Sequence, residues 1–449
     1  MANSAADFAA ENRFQQWLKR SKDINYSTIR TARRTTVDLL IYVIFLGLAS
    51  KVTQTFNNKN MFFYNDSFQR QLIKREFTLE DGSKCKFEIY SIKNFWGYAL
   101  HTFLPFLVQG DFRPNDPSAI YEFPNGTTLY DDFSGDIVSR NILHGNVLLG
   151  PPRLRQISVT KGVCKTSVFT NHMPTCYRPY TWFNENRGQH QGSAWVSMWE
   201  AGVTPINGVL EVYLGAGFVK SLTHNHTENV KLIESLRDSK WISRNTRIVV
   251  IEFNLYHIMT NLLESVKLRF EQSSFGGIIP SYSFTVIQRH SFFTSPERSL
   301  QVIASLYYVM VVLFTARDAA IITQIGFCKY IRRFRNCTDF FCYVLSYLML
   351  IIHIVHYFHI EGLLKRMKRS DKYISLDWAC VLVIAYNNIA GAAIFLIWAR
   401  LLTFLIINRT MAVFVEVMRR SIHEMIGFSV MLVTFIMAYA ECGLALFGD

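Results

Sequence analysis

Five apolar runs decide what this chain can fold into, because about 20 helical residues rising 1.5 Å each cross ~30 Å of hydrocarbon. They are Val37–Phe56, Leu300–Ile325 (interrupted by Arg317 and Asp318), Thr338–Ile360, Ala379–Ile407 and Ile426–Phe447. A chain of 449 residues, half of them hydrophobic and gathered into such runs, reads as a multi-pass membrane protein. Residues 1–35 are polar, and the first run comes too late and is too long for a cleaved leader, so it reads as a signal anchor.

The formal net charge of +13 follows from the residues that flank the runs. Arg13, Lys19, Arg20, Lys22, Arg30, Arg33 and Arg34 precede span 1. Lys329, Arg332, Arg333 and Arg335 lie between spans 2 and 3, and Arg409, Arg419 and Arg420 follow span 4. Positive charge concentrates on cytosolic flanks, so all three groups are expected in the cytosol. Lys365, Arg366, Lys368, Arg369 and Lys372 conflict with this, since the same topology puts the loop between spans 3 and 4 outside. The first span usually sets the orientation, which keeps the topology. The basic excess is thus read as topology and contact with lipid, not as a nucleic-acid surface.

The expected order is a cytosolic N-terminus (1–35), span 1 (36–56), an extracellular or luminal domain (57–294), span 2 (297–325), span 3 (336–360), span 4 (378–407), an amphipathic linker (409–425) and span 5 (426–447). The segment after span 1 is too polar to span and too long for a loop. "VLEVYL" (Val209–Leu214) and "IVVIEF" (Ile248–Phe253) read as strands, and Thr227–Trp241 has helical apolar spacing, so the domain is α+β. Its outside location makes Asn65, Asn125 and Asn225 candidate glycosylation sites, each followed two residues later by Ser or Thr. Three of the 8 cysteines fall in it. Cys164 and Cys176 are close enough in sequence to close a short disulfide loop in an oxidising compartment, leaving Cys85 as a free thiol.

Ionisable groups within the spans are costly and must face protein or water. Arg317 and Asp318 lie in span 2, Asn336 and Asp339 at the start of span 3, Arg400 in span 4 and Glu441 in span 5. Two readings of Arg400 stand side by side. In one it pairs with Asp318 or Asp339 and holds a bundle together. In the other it senses voltage while the carboxylates form a cation site. Ile397 and Thr403 occupy the positions three residues either side, so the charge stands alone, unlike the repeated arginines of a strong sensor. His353, His356 and His359 drift around span 3 and read as an interfacial polar face. Apolar positions from Met411 to Met425 recur at helical spacing, as in a helix lying on the inner membrane surface. No phosphate-cradling glycine loop, paired Cys-x-x-Cys or catalytic cluster appears, so no enzyme and no cofactor is expected.

Several stretches carry a resemblance: "LGPPRLRQISV" (Leu149–Val159), "YLGAGF" (Tyr213–Phe218), "WISRNTRIVVIEFNLYH" (Trp241–His257), "GGIIPSYSF" (Gly276–Phe284) and "NNIAGAAIFLIWARLLTFLIINRTM" (Asn387–Met411). From about Arg33 to the end, the chain resembles the polycystin-2 branch of the transient receptor potential channels. The resemblance implies a voltage-sensor-like bundle of spans 1–4 plus a fifth span, with the polycystin domain between spans 1 and 2. It implies a homo- or hetero-tetrameric, non-selective cation channel with Ca2+ as permeant ion or regulator, in the plasma, ciliary or endoplasmic-reticulum membrane. Cys164 and Cys176 match the family's disulfide. Asn336 and Asp339 match two ligands of a Ca2+ site, and an ungapped count puts the acidic partner on Ala319, one step past Asp318. Arg400 matches one of two span 4 basic positions, and Thr403 replaces the other. The sequence stops at "LALFGD", before the pore helix and sixth span that the resemblance implies. The alternative is a non-conducting assembly or receptor subunit that joins complete partners through the outside domain.

Overall fold

A computed structural model describes residues 29–54, 59–78, 82–108, 141–142, 146–162, 176–257, 259–289, 298–332, 334–369, 372–405 and 409–448. They form two compact units. One contains the described residues up to Val52, Ile303–Ser346 and the residues from Gly391 onward; the other contains Thr53–Val302 and Tyr347–Ala390.

The first unit is helical. α1 (Ile29–Thr53), α5 (Arg298–Ile325), α6 (Phe334–Arg369), α7 (Asp377–Leu405) and α8 (Arg409–Phe447) are the long helices of the chain, and α2–α4 belong to the second unit. Within these helices, Thr36–Thr53, Arg298–Ile325, Asn336–Met367, Asp377–Leu401 and Arg420–Phe447 are long and apolar enough to cross a membrane. Their outward faces carry Leu40, Ile44, Val302, Leu313, Phe341 and Phe395, residues that lipid can solvate. Inside, Phe45 of α1 stacks on Tyr307 of α5 with centroids 5.4 Å apart and meets Phe314 edge-on. Tyr307 Oη lies 2.7 Å from Ser346 Oγ of α6. The stretch read as a linker and the stretch read as span 5 belong to one uninterrupted helix, α8.

The second unit is built on a nine-stranded antiparallel sheet. Its strands are β1 (Asn141–Ile142), β2 (Asn146–Leu148), β3 (Arg153–Ser158), β4 (Gln189–His190), β5 (Ser193–Val196), β6 (Gly217–Ser221), β7 (Thr246–His257), β8 (Leu262–Gln272) and β9 (Ile278–Gln288). The order is β9-β8-β7-β3-β6-β5-β4, with β2 also on β7 and β1 on β2. "VLEVYL" is less regular than its pattern: only Val212–Tyr213 is strand, paired with Ile206–Asn207 in a separate short hairpin.

β7 is buried along nearly its whole length, as a central strand covered on both faces must be. Val249, Ile251, Phe253 and Leu255 point to one face, into a core shared with Phe95, Phe103, Phe106 and Ile233. Those partners come from α3 (Ile92–Tyr98), from its continuation as a π-helical turn (Ala99–Phe103) and a short helix (Leu104–Val108), and from α4 (His226–Asp238). α2 (Lys59–Leu72) adds Phe68 and Leu72. The opposite face of β7 presents Val250, Glu252, Asn254 and Tyr256. In β6 the glycine of the "YLGAGF" stretch has a physical reason: Gly217 has φ +143, and a Cβ there would lie 2.4 Å from the Gln156 carbonyl oxygen of β3.

Candidate functional site

Arg400 of α7 is the charge the sequence left unexplained. Its guanidinium forms an ion pair with Asp339 of α6, and lies 5.0 Å from the centroid of the Tyr42 ring of α1. Tyr42 in turn donates a hydrogen bond of 2.6 Å to the Ile397 carbonyl of α7. Ile397 and Arg400 are one helical turn apart, so a single aromatic side chain ties α1 to the turn that carries the charge. A cation against a π face and a carboxylate is how a guanidinium persists within an apolar helix.

Asp318 of α5 does not share in that pair. It accepts from its sequence neighbour Arg317 at 2.9 Å, from Tyr330 Oη at 2.8 Å and from Tyr343 Oη at 3.2 Å. Among the described residues, Asp318 and Asp339 thus each have their own guanidinium. Between the two carboxylates expected to hold the charge, the structure selects Asp339. The reason is local: Arg317 occupies Asp318 from the adjacent position.

Asn336 is half-buried, one helical turn before Asp339 on α6. Among the described residues, no group of three His, Cys, Asp or Glu side chains is placed to hold a metal ion. Asp318 accepts from Arg317, Tyr330 and Tyr343, and Asp339 is ion-paired to Arg400, so a cation at these carboxylates would compete with those partners. His353 and His356 are buried, in contrast to the interfacial face expected of them, and the His353 ring lies 6.0 Å from Tyr386 of α7. Glu441 is exposed on α8.

The second unit holds a polar cluster that sequence reading missed. On β3 and β7 the register sets Arg153 opposite Glu252 and Arg155 opposite Val250, so both arginines share the Glu252 face. Glu252 accepts from Arg153 Nε at 2.7 Å and also pairs with Arg155. Burial would raise the Glu252 carboxyl, but Arg155, Arg153 and Lys267 outweigh it and hold it well below the usual carboxylate range. Lys267 of β8 lies opposite Glu252 and reaches Asp377 at 2.5 Å. Asp377 is the first residue of α7 and accepts from the Thr204 N–H at 3.1 Å. Arg153 lies 4.0 Å over the Tyr373 ring, and Asn254 Nδ2 donates to the Ile374 carbonyl at 2.7 Å. The connector between α6 and α7 is thereby clasped by the sheet. Gly150, with φ +73, has the room it needs: a Cβ would meet the Lys372 carbonyl at 3.1 Å. Lys372, one of the loop charges that conflicted with the topology, thus packs against the large domain. A sequence signal existed in two arginines at i, i+2 within an apolar strand, but their partner is visible only once the register is known.

Glu264 of β8 is the opposite case. It lies opposite Leu255, toward the aromatic core, and neither carboxyl oxygen has a hydrogen-bond partner. Burial pushes its carboxyl well above the usual range, so the folded chain binds a proton there that the unfolded chain releases. Stability from this group is fully present below the unfolded value near 4.5 and falls as pH rises toward the folded value, by about 1.4 kcal/mol per unit. Glu264→Gln is therefore expected to raise the thermal midpoint at pH 7.5 and to leave it little changed at pH 4.5. Melting curves of the purified chain across that range check this, and a pH-independent difference contradicts it.

Of the glycosylation candidates, Asn225 is exposed and caps α4: its Oδ1 accepts from the Thr227 N–H at 3.1 Å and Oγ1 at 2.8 Å. Asn65 lies within α2 with Oδ1 buried and without a hydrogen-bond partner, and Asn125 lies outside the described residues. Cys176 is disulfide-bonded; Cys164 lies outside the described residues, and Cys85 is a free thiol.

Comparison with known proteins gives these features a common setting. Residues 86–288 match the Polycystin domain family and residues 291–449 the Polycystin cation channel family. The chain is 26% identical to human Polycystin-2-like protein 2 over 421 residues, covering 92% of this chain and 65% of that protein. It is 24% identical to zebrafish (Danio rerio) Polycystin-2 over 419 residues, 92% of this chain and 44% of that one. It is 25% identical to mouse Polycystin-1-like protein 3 over 357 residues, 73% of this chain and 16% of that one. The chain thus spans about two thirds or less of these relatives. Two adjoining matches, meeting where the sheet ends and α5 begins, place it in the polycystin family as an integral membrane protein.

Proposed function

We propose that this chain is a subunit of a non-selective, calcium-permeable cation channel, assembled as a tetramer with copies of itself or with other polycystin subunits. The large domain faces the extracellular space or a lumen and joins subunits. The membrane helices pass its displacements to the pore. The observation that carries this reading is the clasp of Asp377, Ile374 and Tyr373 by the sheet, which couples the domain to the hairpin of α6 and α7. Any ligand or neighbour that shifts the sheet pulls on the helix that bears Arg400. Ca2+ enters as the permeant ion. As a regulator at Asp318, Asn336 and Asp339 it would compete with Arg317 and Arg400 for their carboxylates. The proposed location is the plasma or ciliary membrane, or the endoplasmic reticulum on the way there.

Two differently tagged copies expressed together test assembly. Co-purification at a mass of four subunits is expected, with a glycosidase-sensitive band shift that Asn225→Gln reduces. Cys164→Ser is expected to reduce co-purification, since it removes a bridge of about 2–5 kcal/mol from the domain. Cation current from the complete reading frame supports the channel reading. Assembled complexes that carry no current point instead to a non-conducting assembly subunit. A chain that stays monomeric, or whose large domain is labelled only from the cytosol, overturns both.

A further inference from the structure

Where α3 passes into its π-helical turn, it faces the end of α4 across a cleft of about 710 Å3. That volume lies within the usual range for small-molecule sites. One wall is apolar, made by Ile92, Trp96, Leu100 and Ile242. The rim is cationic, with Lys93, Arg237, Lys240 and Arg244, and among the described residues no Asp or Glu lines the cleft. Arg237 is held by Asp238 at 3.3 Å, but Lys240 and Arg244 have no ion-pair partner among the described residues.

Two backbone features coincide with the rim. π-Helical turns are rare and recur at functional sites. Lys240 has φ +55, a left-handed conformation imposed by the end of α4, where its N–H bonds the Arg237 carbonyl at 3.0 Å. Glycine adopts that conformation freely and lysine does not. A lysine here is strained in the fold while adding a charge to the mouth of an apolar cleft.

We propose that this cleft binds an anionic amphiphile, with its acyl chain against Trp96 and Leu100 and its carboxylate or phosphate head between Lys240 and Arg244. The shape fits one chain and one head: aliphatic and aromatic side chains at depth, cations at the mouth, and no carboxylate to repel the head. The charged rim disfavours a neutral alcohol, and the apolar wall gives a bare inorganic anion nothing to bury.

The test uses the full chain in nanodiscs of phosphatidylcholine and a photoreactive fatty acid with a diazirine in its tail. Labelling is expected on the peptides containing Trp96–Leu100 or Ile242, unaffected by dodecanol or inorganic phosphate. Competition by soluble oleate alone assigns the site to free fatty acid. Competition by phosphatidylglycerol in the disc assigns it to a bilayer lipid. Lys240→Gly is expected to raise the melting temperature, because the strain is relieved, and yet to cut labelling by about tenfold or more through loss of a charge-assisted contact. Arg244→Gln is expected to cut labelling with the melting temperature unchanged. Wild-type labelling in both variants, or label confined to the membrane helices, overturns the proposal. So does a loss of subunit co-purification in variants that label normally, because the cleft would then be an intersubunit surface.

Discussion

Replacing Glu252 with alanine is expected to destabilise the large domain by about 3–5 kcal/mol, a large share of the roughly 5–15 kcal/mol that holds a typical domain folded. The carboxylate is fully buried between Arg153 and Arg155. Without it two guanidinium groups remain in a low-dielectric interior, with the Tyr373 ring and the Ala201 and Gly215 carbonyls as their other partners. The penalty comes mainly from these uncompensated charges, not from the lost attraction. Two comparisons separate the causes. Glu252→Gln keeps shape and some hydrogen bonding, so it should cost less than alanine. Replacing all three residues with Met should recover much of the stability, because the desolvation cost of the charges disappears with them. The same triple variant removes the contact over Tyr373, so it should loosen the connector while the sheet stays folded. Faster hydrogen exchange at 372–377 with a near-native melting temperature is the expected signature. Equal melting temperatures for wild type and Glu252→Ala contradict this account.

The parts of this protein that lipid dictates were legible in the sequence. A span must be apolar over a fixed length, and four of the five helices contain the expected runs almost whole. The first helix ends at Thr53, short of Phe56. The need to neutralise Arg400 was legible for the same reason, but not its partner. Asp318 and Asp339 are equally plausible from spacing. What decides between them is that Arg317 and two tyrosines take Asp318, a matter of side-chain direction that sequence does not carry. The clasp was hidden for a different reason. Lys372 and its neighbours read only as charges in conflict with the topology, although the sheet and Asp377 give that loop a place. Strand residues reveal which of them share a face, but Glu252 meets Arg153 and Lys267 through a register set by distant segments. The buried histidines were misplaced because polar character suggested an interface, whereas packing between helices buries His353 and His356.

Asp339→Asn is the second large effect, and it separates the two readings of Arg400. The substitution leaves a guanidinium without its carboxylate inside the helical bundle. On the insertion scale an unpaired charge at a helix centre costs about 2.5–3.5 kcal/mol, an upper bound for a pair near the ends of its spans, so the variant should reach the surface less well. Arg400→Gln should do similar harm by leaving Asp339 charged and alone. Arg400→Gln with Asp339→Asn should be milder than either single change, since two amides can hydrogen-bond to one another. The double-mutant cycle is expected to give a coupling of about 1–3 kcal/mol. Tyr42→Leu adds a check, since it removes both the ring beneath the guanidinium and the bond to Ile397, and should lower stability without changing charge. A voltage-sensing role makes a different demand. One charge crossing the field supplies only ~2.3 kcal/mol per 100 mV, and this one is held by a carboxylate on one side and an aromatic ring on the other. If Arg400→Gln reaches the surface normally and shifts the voltage dependence of a current from the complete reading frame, sensing is its main task. If surface delivery falls and Asp339→Asn restores it, the pair is there to let an arginine live among helices that lipid surrounds.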